Sequence, residues 1–75
     1  MAQTDSSHPL RNRIKLERAR HDLTQERLAD LVGVTRKTIN TVETARFVPS
    51  TVLALKLAKA LHTTVDELFY LTDEQ

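Results

Sequence analysis

A single glycine, Gly33, stands in this chain between two stretches that each have the length and patterning of a short helix. Glycine is the residue that accepts the positive φ at which a helix stops and the chain reverses. The segments Gln25 to Val32 and Thr35 to about Glu43 therefore read as two helices joined by a turn of three or four residues. Such a pair must cross closely and steeply, and that makes separate demands on its residues. One residue early in the first helix must be small where the second crosses it, and Ala29 is. Apolar side chains must flank the turn to build a shared core, and Leu28, Val32 and Val34 do. The second helix must bury one stripe, and Ile39 and Val42, three apart, supply it.

Hydroxyl caps mark the helix starts, because their side-chain oxygens accept from N–H groups that have no partner in the first turn. Thr24 opens Gln25 to Val32, Thr35 opens Arg36 to about Glu43, and Ser50 opens Thr51 to Leu61. Thr64 opens Val65 to Phe69 or Tyr70, with Glu67 placed to complete a capping box. A first helix is expected from about Leu10 to His21. The fourth carries the plainest core stripe: Leu53, Ala54, Leu57, Ala58 and Leu61. No stretch alternates with period two. The expectation is an all-α, compact five-helix bundle over 10–71, with a disordered tail over 1–9 and a short acidic tail over 72–75.

The chain has 75 residues, enough for one domain with a modest core. Cysteine is absent, which removes disulfides and thiolate metal sites. The polar start MAQTDSSHP has no apolar centre, so it does not read as a secretory signal. No apolar run approaches the roughly 20 residues a membrane span needs. A cytoplasmic protein is expected. His8, His21 and His62 are scattered, with no carboxylate pair, no nucleophile arrangement and no glycine-rich phosphate loop beside them. No enzyme activity, metal, cofactor or small-molecule ligand is expected.

Charge is distributed unevenly. Residues 10–47 carry nine Lys or Arg against five Asp or Glu, whereas 62–75 carry no base and four acids. The first region suits phosphates and the second repels them. Within the first, the face of the second turn-flanking helix opposite Ile39 and Val42 is Thr35, Arg36, Lys37, Asn40, Thr41 and Thr44, all hydrogen-bonding and none acidic. Arg and Lys donate to guanine O6 and N7, Asn pairs with adenine, and a threonine methyl meets the thymine methyl. Thr35, Arg36, Lys37, Asn40 and Thr41 are the expected base contacts. Gln25, in the first turn of its helix, with Thr38, Thr44, Arg46 and Arg13, are the expected phosphate contacts, which fix register rather than sequence. For Arg13 simple solubility is an equal alternative. Together these features describe a helix-turn-helix unit with one helix in the major groove of double-stranded DNA.

The pieces LTQERLADLVGVTRKTIN, VPSTVLALKLAKAL and VDELF, lying between Asn12 and about Leu71, resemble the Cro and phage-repressor type of helix-turn-helix regulators, and most of all their small single-domain bacterial and archaeal members. The resemblance implies a lambda-repressor-like fold, a homodimer on a palindromic operator and a role in transcription control, as a repressor. It also implies a buried ion pair between Arg18 and Glu43. One departure stands out. Where the family has Glu-x-Gly-Lys-Tyr-x-Pro-Ser, this chain has Glu43-Thr44-Ala45-Arg46-Phe47-Val48-Pro49-Ser50, so Ala45 replaces a glycine. Either the loop is strained there or it takes another path.

Leu55 lies off the core stripe of the fourth helix, and the chain closes on Phe69, Tyr70 and Leu71. Leu55, Leu61, Phe69 and Leu71 are the expected dimer contacts, although Phe69 and Leu71 serve equally well as a lid on the core. An antitoxin or protein-binding adaptor built on the same fold is the alternative function.

Overall fold

The computed structural model describes residues 8–72. Its elements run β1 (Leu10–Asn12), α1 (Ile14–Arg20), α2 (Gln25–Val32), α3 (Arg36–Glu43), α4 (Thr51–Ala60), α5 (Val65–Leu68) and β2 (Phe69–Leu71). Five helices are present, with α2, α3, α4 and α5 opened by the expected residues. Thr24, Thr35, Ser50 and Thr64 each sit in extended backbone and accept from the N–H of Arg27, Thr38, Leu53 and Glu67.

The all-α expectation needs one correction. Leu10–Asn12 is the first strand rather than the first turn of α1. It pairs antiparallel with Phe69–Leu71, with Leu10 opposite Leu71 and Asn12 opposite Phe69. Two hydrogen bonds start the helix late. The Asn12 Oδ1 accepts from the Ile14 N–H, which caps α1 from two residues upstream, and the Arg13 N–H is drawn to the Leu68 carbonyl. The ribbon closes the two ends of the chain on each other, and Thr72 continues it by donating from its N–H to the Pro9 carbonyl. His8, Pro9 and Thr72, placed in the tails by the sequence, are thus tied into the fold, His8 by accepting from the Leu10 N–H and from Arg11. The remaining tail residues, 1–7 and 73–75, lie outside the described residues.

The core is built from Ile14, Leu28, Ala29, Val32, Ile39, Val42, Leu53, Leu57, Ala58, Leu61, Leu68 and Phe69. Every helix contributes, and α2 supplies the centre: it packs on α3 through one side and on α4 through the other. Ala29 is buried where α3 crosses, as the short side chain demands.

The first four helices end by a common device. Asp22, Gly33, Ala45 and His62 all have positive φ. At each, the next N–H reaches back to a carbonyl five residues earlier: Leu23 to Arg18, Val34 to Ala29, Arg46 to Thr41 and Thr63 to Ala58. This closes the last turn and satisfies carbonyls that the helix would leave unpaired. Only one of the four positions is glycine. Asp and His tolerate the left-handed region through their polar side chains better than most residues; alanine has no such relief.

Candidate nucleic-acid interface

The turn between α2 and α3 orients α3 across α2, burying Ile39 and Val42 and leaving Arg36, Lys37, Asn40 and Thr44 exposed, with Thr38 and Thr41 half-buried. Lys37 and Arg46 are exposed and have no hydrogen-bond or ion-pair partner among the described residues.

Several hydroxyls on this face are bound into the helix itself. The Thr35 hydroxyl caps α3 and lies 3.1 Å from that of Thr38. Thr41 donates to the Thr38 carbonyl at 2.9 Å and Thr44 to the Asn40 carbonyl at 2.8 Å. Their protons are engaged, so toward a ligand they offer lone pairs and methyl groups.

Beneath the exposed side chains runs a connected polar network. Arg18 of α1 meets Glu43 at the end of α3 side-on, Nε to Oε2 at 2.6 Å and Nη2 to Oε1 at 3.2 Å. The Arg18 Nη1 also donates to the Leu23 carbonyl at 2.9 Å, so this one guanidinium ties α1, the turn before α2, and α3 together. The Glu43 side chain is only 6% exposed. Its Oε1 also accepts from the Gln25 amide at 3.0 Å. The same Gln25 Nε2 donates to the Asn40 Oδ1 at 3.1 Å, and the Gln25 Oε1 accepts from Arg36 at 3.1 Å. Gln25, on the first turn of α2, is therefore bonded to two of the expected base contacts. The sequence reading missed this linkage, and it also missed Asn12, whose Nδ2 donates to the Val42 carbonyl at 2.9 Å and pins the end of α3 to the start of α1. An amide at a helix start was the available signal for Asn12; its second bond, thirty residues away, left none.

At the exit of α3 the chain does take the strained course. Ala45 has φ 62 and is buried, and its N–H donates to the Val42 carbonyl. The methyl occupies the place where the family pattern has glycine, and Arg46 is presented directly after it.

The remaining expected residues fall elsewhere. Arg13 donates to the Glu67 carbonyl at 2.9 Å and lies 4.4 Å over the Tyr70 ring, so its head is held at the α5–β2 end, beside the acids Asp66 and Glu67. Leu55 and Leu71 are 56% and 67% exposed. Leu61 and Phe69 do not match the dimer expectation. Leu61 is fully enclosed by its own chain and Phe69 is buried, because the positions after α4 and α5 roof the core. His21 has its Nε2 3.1 Å from the Leu61 carbonyl and its ring 5.1 Å from that of His62, a packing contact between the ends of α1 and α4. No group of three His, Cys, Asp or Glu among the described residues could hold a metal, and no helix is long and apolar enough to cross a membrane.

A helix-turn-helix family model matches residues 14–68, the whole span from α1 through α5. The chain belongs to the Cro/C1-type helix-turn-helix family. It is a DNA-binding transcriptional regulator of that family. Among its relatives, the HTH-type transcriptional regulator YgzD of Bacillus subtilis is 42% identical over 65 residues, covering 87% of this chain and 98% of its own. The HTH-type transcriptional regulator MJ0272 of Methanocaldococcus jannaschii is 39% identical over 66 residues, covering 88% of this chain and 100% of its own. Among solved structures, the restriction-modification controller protein C.AhdI from Aeromonas hydrophila superposes with a TM-score of 0.69 at 38% identity, over 73% of this chain and 83% of that one.

Proposed function

We propose that this protein is a cytoplasmic repressor that binds a palindromic operator as a homodimer, with α3 in the major groove, Thr35, Arg36, Lys37, Asn40 and Thr41 toward the bases, and Gln25 (through the backbone N–H in the first turn of α2), Thr38 and Arg46 toward the phosphates. The observation that carries it is the two-sidedness of α3: Ile39 and Val42 are fully enclosed, while the opposite side presents Arg36, Lys37 and Asn40 with no acid among them. Arg13, given to Glu67 and Tyr70, and Thr44, whose hydroxyl proton is on the Asn40 carbonyl, drop out of the proposed phosphate set. No catalytic step is assigned to the chain.

The homodimer is supported by an apolar surface away from α3. Val52, Leu55 and Leu71 are exposed, and Leu55 borders a groove lined by Leu10, Pro49, Ala54, Val65 and Phe69. Exposed apolar area of this kind on a small domain is the usual mark of a partner. A two-fold pair would set the two recognition helices about 34 Å apart, one turn of DNA. Selection of bound duplexes from a random pool tests the whole reading. It should return a two-fold symmetric motif with half-sites about 10 base pairs apart; a single, asymmetric half-site would refute the dimer, and no enrichment would refute sequence-specific binding.

A further inference from the structure

The Gln25 amide has two N–H protons, and both are engaged, one on Glu43 and one on Asn40. Its orientation is forced by chemistry. A carboxylate only accepts, so the atom facing Glu43 is the nitrogen; a guanidinium only donates, so the atom facing Arg36 is the oxygen. The same logic passes to Asn40. Because the Gln25 nitrogen faces it, Asn40 must turn its Oδ1 inward, and its Nδ2 is left pointing away from Gln25. The Arg18–Glu43 pair stands at the root of this chain of choices: Arg18 holds the carboxylate in place, and the carboxylate sets the amide.

We infer that the Arg18–Glu43 ion pair sets the hydrogen-bond polarity of the DNA-reading face, so that Arg36, Lys37 and Asn40 present donors alone and the half-site carries guanine opposite Arg36 and Asn40. This rests on the major-groove reading proposed above. Guanine is the base that offers two acceptors, N7 and O6, side by side; adenine sets a donor beside its single acceptor, and cytosine offers a donor. Asn40 with both groups free would pair with adenine, accepting from N6 and donating to N7. With Oδ1 turned inward it loses the accepting half of that pair. Arg36 has one N–H on Gln25 and keeps the rest of its donors for the base. Gln25 is on this account a positioning residue. With both amide protons committed, its side chain has none left for a phosphate, and the proposed phosphate contact of Gln25 falls to its backbone N–H.

The test compares motifs selected from random duplex DNA by the full chain and by two variants, Gln25→Met and Glu43→Gln, with thermal melts alongside. Gln25→Met cuts the relay while leaving the ion pair, and it keeps the inference testable if Glu43→Gln proves too unstable to select. The full chain should enrich guanine at the two positions. Gln25→Met frees Asn40 to turn its oxygen outward, and the preference for guanine over adenine opposite Asn40 should fall by roughly tenfold, the scale of one bidentate contact. A purely structural role for Gln25 would move the melt and leave the motif alone. A selected motif without guanine, or a Gln25→Met motif identical to that of the full chain, overturns the inference while leaving sequence-specific binding intact; no motif at all would remove both.

Discussion

Arg18 and Glu43 lie 25 positions apart in the sequence and meet at 2.6 Å, the closest polar contact between α1 and α3. With side chains 14% and 6% exposed, the two charges are largely withdrawn from water, and each depends on the other. Truncating one therefore costs far more than the net value of the pair. Glu43→Ala strands the Arg18 Nε and Nη2 donors and should destabilise by about 3–5 kcal/mol, whereas Arg18→Met with Glu43→Leu should recover most of that loss. Urea unfolding of the two single mutants and the double mutant checks this. Single mutants within 1 kcal/mol of the parent would show the pair to be solvated and weak.

Ala45 sets two local terms against each other. Its φ of 62 is unfavourable for alanine, and Ala45→Gly removes that strain, worth about 1 kcal/mol. The substitution also gives up a buried methyl, worth about 0.8 kcal/mol, and loosens the unfolded chain. The balance is a change close to zero. Ala45→Val has no such offset: a β-branched residue in the left-handed region, in a buried place, should cost about 2 kcal/mol or more. Chemical denaturation of both variants decides; a valine variant as stable as the parent would mean that the loop readily leaves positive φ.

What the sequence disclosed and what it hid follow from distance along the chain. The caps Thr24, Thr35, Ser50 and Thr64 were legible because a hydroxyl and the N–H it accepts from lie three residues apart. The crossing at Ala29 and Gly33 was legible because each position tolerates few residue types. The strand Leu10–Asn12 was not, since its partner Phe69–Leu71 lies at the other end of the chain and three residues carry no periodicity. Leu61 was read both as part of the α4 core stripe and as a dimer contact, because an apolar residue at the end of a helix suits either, and only the packing decides for the core. The Gln25 network was hidden for a related reason: each member is an ordinary surface residue by type, and its role comes from neighbours 11 to 18 positions away.

Leu55 and Leu61, six residues apart, separate assembly from folding. Leu61 is fully enclosed, so Leu61→Ala should cost about 2–5 kcal/mol in stability at any protein concentration. Leu55 is exposed, so Leu55→Glu should leave the isolated domain intact and convert the proposed dimer to a monomer. Sedimentation equilibrium of Leu55→Glu, with a melt to confirm folding, is the measurement. A variant that remains dimeric would move the interface off α4.

Arg36 and Arg46 carry the same charge, one at the start of α3 and one just past its end, and they should fail differently. Arg36 emerges from the first turn of α3 beside Asn40, with one N–H on Gln25. Arg46 follows the strained exit at Ala45, exposed and without a partner among the described residues. A base contact carries sequence information; a phosphate contact carries charge. Arg36→Ala should therefore weaken binding to the selected operator by about 1–3 kcal/mol while leaving binding to unrelated DNA nearly unchanged, so that discrimination collapses. Arg46→Ala should weaken both to the same degree and lower the slope of log affinity against log salt by about 0.9, the release of one condensed counterion. Titrations of operator and scrambled duplex at several salt concentrations give all four quantities. If Arg46→Ala lowers operator binding alone, the exit of α3 reaches the bases, and the division between reading and anchoring residues along this helix must be redrawn.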